Sequence, residues 1–186
     1  DMNRMTGAVS HGSGQQNIGG KWYLFNKNGT ARTGFQWIAN QKKTVYYNNK
    51  GEMQYGQQRI GNGWYLFSWG TGKMATGFQN LKSYGQDKIV YYAGNGQMKY
   101  GQQHLFGHWY LFDKNTGAMA KGLKWIGDQK KIVYYDGNGQ MQYGFKDISG
   151  HRYYFDTLTG KMTIGERKIG NDWYLFDQNG FMKTGF

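Results

Sequence analysis

Two short stretches of the chain combine side chains that suit carbohydrate recognition. Each has a tyrosine and a glycine, then two glutamines, and reaches a tryptophan a few residues later. A saccharide can stack its C–H groups on the electron-rich face of an aromatic ring, while side-chain amides hydrogen-bond its hydroxyl groups. The polysaccharide-binding candidates are therefore Tyr55, Gln57, Gln58 and Trp64, and in the second stretch Tyr100, Gln102, Gln103 and Trp109. The alternative is that the two tryptophans belong to the hydrophobic core.

A second pair of matched stretches adds positive charge. Residues 37–43 read WIANQKK and residues 125–131 read WIGDQKK, so five of seven positions are identical. Trp37 and Trp125 are predicted to lie in links outside the hairpins, as exposed platforms for sugars. A lysine ammonium is a good point charge for phosphate, so the polyanion-binding candidates are Lys42, Lys43, Lys88, Lys130 and Lys131. The alternative interpretation is that these links are only solvated connectors.

The acidic and histidine side chains show no pattern typical of catalysis. One position of a sequence repeat, the first residue of a turn, holds Asp113, Asp136, Asp156 and Asp177. Asp and Asn at such positions cap the local backbone, which explains them better than the paired carboxylates of a glycosidase. The four histidines lack metal-ligand spacing, and the absence of cysteine excludes thiol chemistry. We expect no enzymatic activity, no cofactor and no metal.

The elements that position these side chains are predicted from the repeat. Eight units each contain a short aromatic strand, such as WYLF or VYY, then a turn rich in Asn, Asp and Gly, and a Gly-x-Met or related segment. A period near 21 residues suits one β-hairpin with its link, and aromatic residues beside Asn-Gly turns are hairpin chemistry. An isolated hairpin is marginally stable, so the units must stack. The sequence predicts an all-β solenoid of about eight hairpins.

Composition narrows the class of partner. The 186 residues carry 23 Lys and Arg against 11 Asp and Glu, a net charge of +12, which favours polyanions. No apolar run approaches the length of a membrane helix, so membrane insertion is not expected. Residues 1–14 are predicted to be a poorly ordered lead-in or expression remnant, and residues 15–186 a single repeat domain. The oligomeric state is left open.

The repeats resemble the cell-wall-binding repeats of Gram-positive surface proteins. The segments GWYLFSWGTGKMATGF and HRYYFDTLTGKMTIG carry this resemblance, which extends over about residues 15–186 and includes choline-binding and glucan-binding repeats. In their overall sequence pattern, the repeats most resemble the wall-anchoring regions of lactobacillus hydrolases. The resemblance implies a β-hairpin solenoid with about three hairpins per turn. It also implies non-covalent attachment of an exported protein to wall polysaccharide or teichoic acid, with catalysis confined to other domains.

Choline is disfavoured as the ligand. In the family resembled, a cage joins the residue after the unit-closing Thr-Gly to the first strand aromatic of the next unit, and cation–π binding needs several rings. The matching junctions pair Phe35 with Thr44, Gln57 with Trp64, Phe78 with Ile89, Gln102 with Trp109, Leu123 with Ile132, Phe145 with Arg152 and Glu166 with Trp173. None has two aromatic rings.

The sequence therefore predicts a non-catalytic module that binds an anionic wall glycopolymer, such as teichoic or lipoteichoic acid or a wall polysaccharide. A neutral α-glucan or exopolysaccharide is the alternative ligand, and a structural spacer or adhesin repeat is the alternative role. Basic and aromatic residues together also suit single-stranded nucleic acid, but no nucleic-acid motif is present, so this partner is disfavoured. The expected location is the bacterial surface, after secretion.

Overall fold

The computed structural model of the chain describes residues 13–185. Within this range it contains sixteen β-strands and three single-turn 3₁₀ segments. The strands are β1 (Gly14–Ile18), β2 (Lys21–Phe25), β3 (Gly34–Ile38), β4 (Lys43–Tyr47), β5 (Gly56–Ile60), β6 (Gly63–Phe67), β7 (Gly77–Asn80), β8 (Ile89–Tyr92), β9 (Gly101–Leu105), β10 (His108–Phe112), β11 (Gly122–Ile126), β12 (Lys131–Tyr135), β13 (Gly144–Ile148), β14 (His151–Phe155), β15 (Gly165–Ile169) and β16 (Asp172–Phe176). The all-β prediction is confirmed. Of the predicted lead-in, residues 1–12 lie outside the described range.

Each strand pairs with its neighbour in sequence, which gives eight antiparallel hairpins over residues 13–185. We number them 1 to 8 in chain order. Hairpin 1 closes with the two-residue turn Gly19–Gly20, whose φ angles of 62° and 83° match the twist of the flanking strands. Hairpins 2, 4 and 6 instead close through the 3₁₀ segments Ala39–Gln41, Leu81–Tyr84 and Gly127–Gln129. The alternation of WYLF and VYY units in the sequence is therefore an alternation of turn types.

The hairpins include two segments that the sequence interpretation had treated as links. Trp37 lies in β3 opposite Thr44, and Trp125 lies in β11 opposite Ile132. The prediction that these tryptophans lie outside the hairpins is wrong. The reason is the pairing direction: each aromatic strand pairs with the strand before it in sequence, and the turn rich in Asn and Asp follows the hairpin.

The Gly-x-Met motif joins consecutive hairpins. After β12, the turn at residues 136–139 reverses the chain, and Met141 forms a β-bridge with Tyr135. The amide of Met141 also donates to the carbonyl oxygen of Trp109 in the preceding hairpin, at 2.9 Å. The same bond joins Met53 to Trp22, Met74 to Thr44, Met98 to Trp64, Met162 to Ile132 and Met182 to Arg152. Each methionine thus ties its own hairpin to the one before it.

The glycine of the motif is a packing site as well as a turn residue. Gly139 has φ of 79°, and a Cβ atom there would lie 2.5 Å from the Sδ atom of Met119. The thioether of one unit therefore occupies the space above the glycine of the next unit. Positive φ and close approach both require glycine, which explains why the motif recurs along the chain.

The described residues form two compact units, the first ending at Lys99 and the second beginning at Tyr100. Equivalent side chains build their cores: Val45, Tyr47 and Met53 in the first, and Val133, Tyr135 and Met141 in the second. Burial raises the pKa of Tyr135 to about 12, since desolvation disfavours the phenolate. Within residues 13–185, no helix is long and apolar enough to cross a membrane. The number of hairpins per solenoid turn stays a prediction.

Candidate functional site

A groove in the first unit collects residues from three consecutive hairpins. It has a volume of about 460 Å³, and we call it the first groove. Its lining contains two glutamines, two lysines, a tryptophan and a tyrosine, and no carboxylate. The lining residues are Gln15, Trp22, Gln41, Lys43, Met53, Tyr55, Gly70, Thr71 and Lys73. The groove is therefore positively charged and has aromatic and amide groups on its walls.

Strand and turn geometry place the aromatic and amide side chains of this groove. Trp22 lies on β2 and is 40% exposed, so part of its ring is available to a ligand. Gln41 belongs to the 3₁₀ turn of hairpin 2, and its Nε2 donates to Oε1 of Gln15 at 3.2 Å. This bond holds the turn against hairpin 1 and orients both amides. The side chain of Tyr55 is half-buried, and this burial raises the pKa of its hydroxyl, which therefore stays a hydrogen-bond donor at neutral pH.

The two lysines of the first groove differ in their surroundings. Nζ of Lys43 donates to the carbonyl oxygen of Thr71 at 2.5 Å, which fixes the ammonium beside the turn that follows hairpin 3. Partial burial lowers the pKa of Lys43, because desolvation disfavours the charged form. Lys73 lies in the same turn and is exposed. An anion in the groove would meet one fixed and one exposed ammonium.

The second unit holds the same residue types at eight of the nine equivalent lining positions. We call the set the second groove, and it consists of Gln102, Trp109, Gln129, Lys131, Met141, Tyr143, Thr159 and Lys161. Nζ of Lys131 donates to the carbonyl oxygen of Thr159 at 2.5 Å, as Lys43 does in the first groove. Trp109 is 41% exposed, and burial raises the pKa of Tyr143. The chain therefore carries two copies of one constellation, one in each compact unit.

The structure brings together only part of the predicted site. Tyr55 and Lys43 line the first groove, and Gln102, Trp109 and Lys131 belong to the second. The sequence interpretation missed the other lining residues, among them Gln15, Trp22, Gln41, Lys73, Gln129, Tyr143 and Lys161. The signal that could have found them is the equivalence of Trp22 and Trp109, since each is the first aromatic residue of its strand, one hairpin before a QKK sequence.

The paired glutamines of the prediction separate onto opposite faces of their strands, because successive side chains of a strand alternate. Nε2 of Gln58 donates to the carbonyl oxygen of Tyr55 at 2.7 Å, and Nε2 of Gln103 makes the same bond to Tyr100. The side-chain amides of Gln58 and Gln103 therefore hydrogen-bond to the backbone and do not extend into either groove. Gln57 lies opposite Leu66 on β6, and Trp64 lies opposite Arg59 and is 37% exposed. No described contact joins this pair to either groove.

The lysines predicted as pairs also separate. Lys42 and Lys130 end their 3₁₀ turns in the left-handed conformation, each with φ of 49°, and both are exposed. Their neighbours Lys43 and Lys131 instead bond to turn carbonyls in the grooves. Lys88 precedes β8, and its carbonyl oxygen accepts from the amide of Leu81 at 2.9 Å. Only one lysine of each predicted pair therefore belongs to a groove.

Trp37 and Trp125 are exposed despite their position within hairpins. They are 61% and 62% exposed, at equivalent places in the two units. Their exposure is consistent with the predicted stacking role, although neither lies in the two grooves.

Some aromatic rings pack together in pairs that the sequence junctions between hairpins do not predict. Phe35 packs against Tyr46 across its own hairpin and against Tyr65 of the next, with 5.0 Å between ring centroids in both cases. The statement that no junction has two rings is therefore wrong, because the partner ring comes from a different strand position. These rings contact each other directly, and Phe35 is 41% exposed.

In the second unit, the protein's own cations lie against a similar cluster of rings. Phe145 packs against Tyr154 and Tyr174 at 4.9 and 5.2 Å between centroids. The Arg152 guanidinium lies 5.5 Å from the centre of the Phe145 ring, and that of Arg167 lies 5.0 Å from the centre of the Tyr154 ring. These cation–π contacts occupy ring faces that a cationic ligand would need.

The acidic side chains act as turn caps, as predicted. Asp136 Oδ1 accepts from the amides of Asn138 and Gln140 at 2.9 and 3.0 Å, and Asp177 accepts in the same way. Asp156 Oδ2 in addition accepts from Arg167 at 2.7 Å, which holds the pKa of this carboxyl well below its usual range. Over residues 13–185, no three His, Asp or Glu side chains form a group that could hold a metal ion.

The sequence matches a family of cell wall binding repeats of the choline-binding type. The matching segments are residues 16–31, 144–157 and 167–182. No curated protein is similar in sequence.

Solved structures of similar fold come from Streptococcus pneumoniae. The structure of CbpJ superimposes with a TM-score of 0.78 and 26% identity, over 87% of this chain and 56% of that one. Choline binding protein F, crystallised in the presence of a peptidoglycan analogue, gives a TM-score of 0.76 with 24% identity, over 87% of this chain and 55% of that one. The choline-binding domain of CbpL gives 0.60 with 20% identity, over 95% of this chain and all of that one. This chain thus spans little more than half the length of CbpJ, and the hairpin-repeat fold is shared.

Proposed function

We propose that the chain is a non-catalytic module that binds an anionic wall glycopolymer, since three of its segments match the family of cell wall binding repeats. The polymer class is that of teichoic or lipoteichoic acid, or an acidic wall polysaccharide. The module would hold an exported protein at the bacterial surface without a covalent bond.

The observation that supports this proposal is the duplicated groove. The first groove places two lysines, two glutamines, a tyrosine and a partly exposed tryptophan together, with no carboxylate in its lining. The same residue types recur at the equivalent positions of the second unit. Ammonium groups suit phosphate or carboxylate, the indole ring suits a sugar or polyol carbon chain, and the amides suit hydroxyl groups. A polymer that alternates charged and hydroxylated parts offers these features together.

Two copies of one site also fit a polymeric ligand. A repeating polymer presents the same segment many times, so one chain can occupy both grooves if its length allows. The second contact is then intramolecular, and the apparent affinity exceeds that of either groove alone. Two grooves that each bind the polymer with low affinity can therefore together attach the protein firmly to a wall.

A neutral glucan is the second candidate ligand, and the exposure of Trp37 and Trp125 favours it. Both rings are more than half exposed, at equivalent positions of the two units. The residues opposite them in their strand pairs, Thr44 and Ile132, carry no charge. Stacking on these rings would need no charge. Ionic strength separates the two candidates, because screening weakens binding to a polyanion and has little effect on stacking.

Co-sedimentation with purified Gram-positive walls tests the proposal, before and after extraction of teichoic acid. The test variant removes the four groove lysines by changing Lys43, Lys73, Lys131 and Lys161 to Gln. Its matched control removes the same charge from exposed sites outside the lining, by changing Lys50, Lys99, Lys114 and Lys168 to Gln.

We expect extraction to abolish most binding and the groove variant to bind at least roughly tenfold more weakly at low salt, if each contact contributes about 0.5 kcal/mol. The control should bind nearly as the parent. Binding that survives both extraction and high salt would favour the neutral glucan, and no binding to any wall would leave only the spacer role.

A further inference from the structure

Trp69 is an exposed aromatic residue that neither the core nor the turn requires. It lies in the turn after β6 and is 62% exposed. The equivalent turn positions after hairpins 5 and 7 hold Lys114 and Thr157, the polar residues that such turns usually contain. The side chain of Trp69 is therefore the feature of this turn that lacks a structural explanation.

A second aromatic side chain from the next hairpin fixes the Trp69 ring. Tyr84 stacks on it with 5.9 Å between ring centroids and 22° between planes. Tyr84 ends the 3₁₀ segment Leu81–Tyr84, which is four residues long where its two counterparts are three. A longer turn thus supplies the second ring, and hairpins 2 and 6 have no counterpart to it.

Backbone supports the far edge of the indole. A Cβ atom at Gly56 would lie 2.8 Å from Cη2 and Cζ2 of Trp69, so the ring rests against a position without a side chain. The ring is therefore oriented by Gly56 at one edge and by Tyr84 through stacking, while most of its surface faces solvent. An oriented ring loses little side-chain entropy when a ligand stacks on it.

Polar groups border the ring of Tyr84. A groove of about 320 Å³ includes Tyr84 and, beside it, Ser68, Thr71, Thr76 and Gln79. Nε2 of Gln79 donates to the carbonyl oxygen of Thr76 at 2.9 Å, which orients the amide. No carboxylate lines the groove, and Lys73 is its single charged residue.

We infer that Trp69 and Tyr84 form a stacking platform for neutral pyranose units of a polysaccharide. The rings take the C–H face of the sugar, and the hydroxyl and amide groups beside Tyr84 take its hydroxyls. A lipid is disfavoured because the groove walls are polar. The groove beside Tyr84 shares Thr71 and Lys73 with the first groove, but the Trp69–Tyr84 ring pair occurs once among the described residues and lies outside the lining of the first groove. The inference does not depend on the proposed anionic ligand.

Affinity electrophoresis of the whole protein tests the platform, with dextran, pullulan and mannan in the gel and high salt in the buffer to suppress contacts with lysines. The variants are Trp69→Ala, Tyr84→Ala and the conservative Trp69→Tyr. Leu158→Ala is the matched control, since it removes an exposed apolar side chain from the equivalent turn of the second unit. Circular dichroism verifies that each variant keeps its fold.

We expect the parent to be retarded by at least one of the three polymers. Trp69→Ala should weaken the apparent affinity at least about fivefold, as loss of a stacked aromatic does for bases, and Trp69→Tyr should retain most of it. Leu158→Ala should behave as the parent. Retardation that is equal in the parent and Trp69→Ala, or absent with all three polymers, would overturn the inference. Trp69-dependent binding of single-stranded poly(dT) in place of the glycans would also overturn it. None of these outcomes bears on the teichoic acid test.

Discussion

Substitution of a single glycine should show how strongly the Gly-x-Met contact holds consecutive units together. In Gly139→Ala, the new Cβ would lie 2.5 Å from Sδ and 2.8 Å from Cε of Met119. The positive φ of 79° at this residue adds about 1–2 kcal/mol of strain for an L-residue. Overpacking against the thioether adds about 1–3 kcal/mol. We therefore expect Gly139→Ala to lower the free energy of unfolding by about 2–5 kcal/mol.

Another glycine in the same compact unit offers a matched control for Gly139→Ala. Gly165 has φ of 84°, and a Cβ atom there would meet nothing within 4 Å. Gly165→Ala should therefore show the strain alone, about 1–2 kcal/mol. The difference between the two variants, measured by urea denaturation of the whole protein, isolates the contact with Met119.

A double-mutant cycle completes this test. In the background of Met119→Ala, the extra destabilisation caused by Gly139→Ala should disappear, which gives a coupling energy of about 1–3 kcal/mol. Equal destabilisation by Gly139→Ala and Gly165→Ala, or a coupling energy near zero, would refute the view that methionine and glycine interlock the units.

Three further predictions follow from charge. The Arg167 guanidinium lowers the pKa of Asp156, so this pair stabilises the fold above the unfolded-state pKa of about 4 and less as pH falls through the folded-state pKa. Asp156→Asn should accordingly lower the urea midpoint at pH 7, and by a shrinking amount in acid; a constant difference would contradict this. Lys42→Gln with Lys130→Gln should leave the free energy of unfolding within about 0.5 kcal/mol of the parent in thermal melts, since both side chains are exposed. The chain should not be retained on a tertiary-amine resin, because its net charge of +12 repels a cationic matrix; retention followed by elution with choline would disprove this.

The fold could be predicted from the sequence because its signals are local and repeated. Each unit carries its own aromatic strand and turn residues, and eight copies reinforce one interpretation. The pairing direction was harder to predict, since a strand between two turns can pair with either neighbour. A glycine begins the first strand of most hairpins, such as Gly34 in hairpin 2 and Gly122 in hairpin 6, and glycine is also compatible with a loop. For this reason the sequence alone predicts that Trp37 and Trp125 lie in links.

The candidate site could be predicted only in part, because it is built across hairpins. Lys43 bonds to a turn carbonyl 28 residues away in sequence, and no local pattern indicates that contact. Strand alternation separated Gln57 from Gln58, and the end of a 3₁₀ turn separated Lys42 from Lys43. Trp22 was missed because its hairpin lacks the YGQQ sequence that drew attention to Trp64 and Trp109.

The tryptophan indole N–H groups allow the proposed ligand sites to be located in one experiment. The chain has seven tryptophans, so ¹⁵N-labelled protein should give seven indole signals in a two-dimensional NMR spectrum. Titration with purified poly(glycerol phosphate) at low salt should shift the signals of Trp22 and Trp109, which belong to the two grooves, and leave that of Trp173 in place. Shifts confined to Trp37 and Trp125, or no shift at Trp22 and Trp109 up to saturation, would contradict the proposal that the paired grooves bind an anionic wall polymer.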